Sequence, residues 1–248
     1  MFYRKGDKMK RLFKAVRQND LETIRRILDG EPELINCVAT SPPKKDEGQS
    51  LLQVANKVGN LEIAHYLIDK GIDINYKEPD NGMPCTQCFT CPVLIDAVRF
   101  LLSGGPEWSK HVEERKKLLL HLLEKGADPN ITDNRGTNSW DWAINAYCDV
   151  RGSVGDTEQK EMFADLEKEL LDILYRYNAD ILNIGRVQNE LKLFENYSLF
   201  LQNLILNRDD LYGVVPEMIE VWHERWLPVI PLIKPYYMKN NPNYENDK

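Results

Sequence analysis

The chain has 248 residues, 42% of them hydrophobic and 29% charged, with a net charge of −7. This suits a soluble protein with a substantial core and argues against DNA, RNA or an anionic membrane as its main partner. No run of about 18 apolar residues occurs, so the sequence predicts no membrane span. The opening "MFYRKGDKMK" lacks an apolar stretch of the secretory kind, which points to the cytoplasm. Charge is unevenly spread. Residues 1–45 carry 11 Lys/Arg against 6 Asp/Glu, and the remainder 21 against 33. An acidic body of this kind favours a basic protein as partner.

In chain order, four stretches overlay: "AVRQNDLETIRRILD" (15–29), "ANKVGNLEIAHYLIDKGIDIN" (55–75), "LLLHLLEKGADPNITDNRGT" (118–137) and "LLDILYRYNADILN" (170–183). Each reads as the close of a helix pair, or as the turn between its helices with the second helix. Asn19 and Asp20, and then Gly59 and Asn60, stand where the second helix opens and its free amides need capping. Gly71, Gly126 and Asn178 stand where that helix must end in a left-handed conformation. Ile24, Ile27 and Leu28, like Ile63, Leu67 and Ile68, form the apolar stripe of one helix face. A lone pair of short helices cannot bury both its faces, whereas stacked pairs can.

"GNLEIAHYLIDKGIDIN" and "LLLHLLEKGADPNITDNRGT" resemble the ankyrin repeat family, and the resemblance covers roughly residues 9–183. It implies an all-α solenoid of about four helix-turn-helix units with finger loops. The first helices open at "RLFKA", "SLLQVA", "PVLIDA" and "NSWDWA", none with the full Thr-Pro-Leu-His-x-Ala motif. Aligning Ala15, Ala55, Ala97 and Ala143 gives steps of 40, 42 and 46 residues, against about 33 in the family. The surplus falls in the finger segments "ATSPPKKDEGQ" and "KEPDNGMPCTQCFT", and between paired helices in "SGGPEWSK" and "RGSVGDTEQ". Residues 1–8 read as an N-terminal extension and 184–235 as a helical C-terminal cap. Residues 236–248 read as a disordered tail.

Chemistry-bearing motifs are few. No P-loop, G-x-G-x-x-G, G-x-S-x-G or H-E-x-x-H occurs, so the expectation is a protein that is not an enzyme. Cys85, Cys88 and Cys91 sit at C-x-x-C-x-x-C spacing. They are read as a finger loop without metal or other cofactor. The alternative is a structural or sensory zinc site, or a redox loop, completed by Cys37 from the preceding finger. The resemblance implies protein binding through fingers and first helices, with an inhibitor or immunity-type role as a narrower possibility. The residues expected to meet a partner are Asp96, Arg99, Asp141, Trp142 and Asn145. Trp140, His65 and His121 are read as packing residues.

Overall fold

In a computed structural model, the structure describes residues 5–40, 43, 46–79, 90–102, 108–134, 136–150, 157–181, 232, 235 and 236. They form two compact bodies, Met1–Asn134 and Arg135–Lys248. The described residues are helical, and their β structure is confined to isolated antiparallel bridges.

The first body holds three helix pairs: α1 (Lys5–Arg17) with α2 (Leu21–Gly30), α3 (Leu51–Val58) with α4 (Leu61–Asp69), and α5 (Val93–Leu102) with α6 (Val112–Glu124). The first helices α1, α3 and α5 pack side by side, and α4 packs on α6 behind them. The core lies between these layers. Leu12, Val16, Leu51, Val54, Ile95 and Val98 from the front meet Ile24, Ile63, Leu67, Leu119 and Leu122 from the back, all essentially inaccessible to water. Fully burying each such side chain is worth about 1.5–3 kcal/mol.

Local chemistry sets the boundaries. Asp20 Oδ1 accepts from Thr23 N at 2.9 Å and opens α2. Ser50 and Gln53 form a reciprocal capping box at the start of α3. Gly71, Gly126 and Asn178 all have positive φ (84°, 94° and 62°), so all three stop signals act as expected. Asn60 departs from expectation. It makes no cap, and its Nδ2 instead donates to Val16 O at 2.6 Å, joining the second unit to the first. A related stitch recurs at the loops that follow the second helices. Asn36 Oδ1 accepts from Asp73 N, and Asn75 Oδ1 from Asp128 N, both at 2.8 Å. The finger segments begin at two bridges, Val38 with Ser50 and Lys77 with Pro92.

The second body holds α7 (Ser139–Val150) packed on α8 (Thr157–Arg176). Trp140 is fully buried, as the sequence predicted. Two boundaries are corrected. α1 begins at Lys5, inside the stretch read as an extension, because its first turns are polar and give no periodic signal. Tyr236, placed at the start of the tail, is buried. Its ring meets Trp140 edge-on at 5.1 Å, and its hydroxyl donates to Asp172 Oδ1 at 2.5 Å. Apart from Leu232 and Pro235, the expected cap lies outside the described residues.

Candidate functional site

Among the described residues, the finger segments of the first body are joined to its first helices by a ladder of polar side chains. Arg17 Nε, from the end of α1, donates to Asp46 Oδ2 at 2.6 Å. Lys57 Nζ, from the end of α3, donates to Asp46 Oδ1 at 2.8 Å and to Gln49 Oε1 at 2.7 Å. Gln49 Nε2 passes the chain to Glu78 Oε1 at 3.0 Å. Gln53 Nε2 then faces three acceptors: Glu78 Oε1 at 3.1 Å, Asp96 Oδ2 at 2.9 Å and the Cys91 carbonyl at 2.9 Å. Arg99 Nη1 closes the ladder, 3.3 Å from Asp96 Oδ1 and 3.5 Å from Cys91 Sγ. Three first helices and two finger segments are thereby joined.

The ladder has a polarity. Its cations lie outside and its carboxylates beneath. The side chains of Arg17, Lys57 and Arg99 are 24%, 28% and 38% exposed, against 1% for Asp46 and 4% for Asp96. Burial alone would raise the Asp46 carboxyl. Hydrogen bonds from Lys57 and Arg17 outweigh that effect and hold it below its ordinary value. At Asp96 burial wins and pushes the carboxyl up to about 7, against the opposing pull of Arg99 and Gln53. Burial likewise pushes Glu78 up.

These facts relocate the residues expected at the surface. Asp96 was expected to face the groove, but it is buried under Gln53 and Arg99. Asp141 is buried too, near the start of α7, where its backbone amide donates to Asn138 Oδ1 at 3.0 Å. Both side chains are shielded from solvent. A helical pattern gives the direction of a side chain, not the depth of what neighbouring segments lay over it. Arg99 is partly exposed at the end of the ladder, and Trp142 is half-buried on α7. Asn145 lies in α7, and its side chain is outside the described residues.

Arg17 and Lys57 were missed by the sequence reading, although a signal existed. Each lies two residues past its aligned alanine, Ala15 or Ala55, as Arg99 lies past Ala97. Of the cysteines, Cys85 and Cys88 fall outside the described residues. Cys37 is half-buried and Cys91 buried. Burial pushes the Cys91 thiol far up. Among the described residues, no group of three His, Cys, Asp or Glu side chains is placed to hold a metal ion. Among those residues, too, no helix is long and apolar enough to cross a membrane.

A stack of helix pairs with fingers along its front defines a helical repeat protein. Residues 47–75 match the ankyrin repeat family model; this stretch is an ankyrin repeat, and the helix pairs around it share its fold. The chain is 29% identical over 119 residues to the E3 ubiquitin-protein ligase hecd-1 of Caenorhabditis elegans, covering 48% of this chain and 4% of that protein. It is 29% identical over 133 residues to the putative ankyrin repeat protein FPV031 of Fowlpox virus, covering 47% and 39%. It is 26% identical over 136 residues to the inactive serine/threonine-protein kinase TEX14 of Mus musculus, covering 55% and 8%. The chain thus spans well under half the length of each of these relatives. Ankyrin repeats are in general protein-interaction modules and are typically non-enzymatic.

Proposed function

We propose that this chain is a non-enzymatic binding module that holds a partner protein in the groove between its fingers and first helices. The observation that carries this reading is the ladder, which rigidly joins three first helices and turns three cations outward at one register. A surface ordered before binding loses less entropy when a partner docks. The ligase named among the relatives does not extend the reading, since the chain covers 4% of that protein. A narrower role, as an inhibitor masking a basic effector, leans on acidity in the groove. With Asp96 and Asp141 buried, the general form is the better supported. A cytoplasmic location, expected from the charged start, belongs to the same proposal.

The test is affinity capture with the full chain, followed by binding measurements with the purified partner. A triple variant Arg17→Gln, Lys57→Gln, Arg99→Gln is compared with a back-face control, Glu114→Gln with Lys117→Gln. The expected result is a loss of about tenfold or more in the triple variant and none in the control. Equal binding by both variants would move the interface off this groove.

A further inference from the structure

We propose that Glu167 is a proton lock of the second body: α7, α8 and Tyr236 stay closed on one another while its carboxyl is protonated, and open to water when the proton is lost. The inference goes beyond the binding reading and does not depend on it. On α8 the buried positions Phe163, Leu170, Leu171 and Leu174 recur at helical spacing and form the apolar stripe that faces inward. Glu167 stands in that same stripe, one helical turn after Phe163 and one before Leu170 and Leu171. It is inaccessible to solvent, and neither of its carboxyl oxygens has a hydrogen-bond partner. A core position that an apolar side chain would fill at no polar cost thus holds a titratable group.

Among the described residues, no cation offsets this burial. Lys160, Lys168 and Arg176 of α8 are exposed on its outer side. Among the described side chains of α7, the buried titratable groups are Asp141 and Tyr147, and Tyr147 stacks on Phe163 with centroids 5.4 Å apart. The C-terminal segment adds Tyr236. None of these three carries a positive charge that could neutralise a carboxylate. Burial alone acts on the Glu167 carboxyl and holds it well above its ordinary 4.5. Ser139 Oγ and Trp140 Nε1 of α7 are also buried without partners. The core of this body therefore holds further polar atoms that entering water would satisfy.

Tyr236 is the piece that the charge would release. Its ring meets those of Trp140 and Tyr175, with centroids 5.1 Å apart in each case, and its hydroxyl donates to Asp172 Oδ1. Burial first, then Asp172, and then the charge of Glu167 push its phenol up, so it lies within electrostatic reach of Glu167. A neutral carboxyl is tolerated in a dry core, whereas an unpaired carboxylate there costs far more. Water relieves that cost, and it enters when Tyr236 parts from α7 and α8. The sign follows from proton linkage. The closed body keeps a proton that the opened body releases. Its advantage is complete below the ordinary 4.5 and is lost as pH rises through the folded value.

The experiment uses the full-length protein. Carbon NMR on a 13C-labelled sample gives the midpoint of the Glu167 carboxyl. Hydrogen exchange read by mass spectrometry gives the opening constant of α7 and α8 from about pH 5 to about pH 9, corrected for intrinsic exchange. Wild type is compared with Glu167→Gln, which keeps the shape and cannot ionise, and with Glu167→Leu. The expected midpoint lies well above 4.5. Relative to either variant, the wild-type opening constant should rise by about tenfold per pH unit up to that midpoint and then level off. A midpoint near 4.5, or exchange curves that run parallel in wild type and variants, would overturn the inference. Should neither variant fold, the wild type decides alone. A raised midpoint that coincides with the pH at which opening levels off supports the lock, and a mismatch between the two overturns it.

Discussion

The front and back layers of the first body hold their charges differently. On the back, Asp69 meets Lys125 at 2.9 Å, Glu114 meets Lys117 at 2.7 Å, and Asp29 meets Lys70 at 3.3 Å, all with substantially exposed side chains. On the front, Asp46 and Asp96 are buried with hydrogen bonds from more than one unit. Exposed pairs are screened and hold long side chains at an entropic cost, so they add little. Buried polar groups must be satisfied, and removing one partner strands the others. The back layer is therefore tolerant, and the front layer fixes the spacing of the units that line the groove.

The sharpest way to break this contrast is Gln53→Ala. The Gln53 amide serves Glu78, Asp96 and the Cys91 carbonyl, and its Oε1 accepts from Ser50 N in the capping box. Truncation leaves buried acceptors unpaired and removes a cap. The expected loss is about 3 kcal/mol, read as a lower urea midpoint. The back-face change Glu114→Gln should leave that midpoint in place. If the two variants behave alike, the ladder does not hold the units together.

A second effect separates the layers by pH. The Asp96 carboxyl is raised to about 7 from an ordinary 3.8. The folded protein therefore holds a proton there that the unfolded chain releases. Its contribution is fully present below about pH 4 and is lost as pH rises through about 7, with a slope approaching 1.4 kcal/mol per pH unit at most. Asp96→Asn cannot titrate. Stability curves from urea melts at a series of pH values should diverge in that window, the variant gaining on the wild type as pH rises. Parallel curves would mean that Asp96 is ionised throughout.

How far the sequence foretold this molecule depended on the kind of signal. Gly71, Gly126 and Asn178 were legible because a positive φ restricts residue choice locally. The paired helices were legible because the apolar stripes repeat. The burial of Asp96 was not, since Gln53 comes from the preceding unit, 43 residues away. Nor was the seat of Tyr236, fixed by Trp140 and Asp172 far upstream. The outward cation row lay in between. The alanine register pointed to it, but overall net charge, a property of the whole chain, pointed toward a basic partner.

The smallest expected effect lies on the back layer. The rings of His65 on α4 and His121 on α6 stack with centroids 4.9 Å apart, and their Nδ1 atoms are 2.7 Å apart. One nitrogen donates and the other accepts, so the pair holds together while at least one ring is neutral. Burial first, and then the charge on His121, lowers the His65 pKa, while Asp69 and Glu114 pull it up and Lys117 pulls it down. His121 Nε2 in turn lies 3.1 Å from Asp69 Oδ1. A lowered folded pKa gives stability that is present above about pH 6.5 and is lost as pH falls through the folded value. This slope is opposite in sign to that of Asp96. It should amount to less than about 1 kcal/mol, because water still reaches and screens the rings. Proton NMR titration of His65 reads it directly. In His121→Gln the His65 midpoint should move up toward its ordinary value without reaching it, because burial persists after the neighbouring charge is gone. An unchanged midpoint would show that His121 has no hold on the His65 proton.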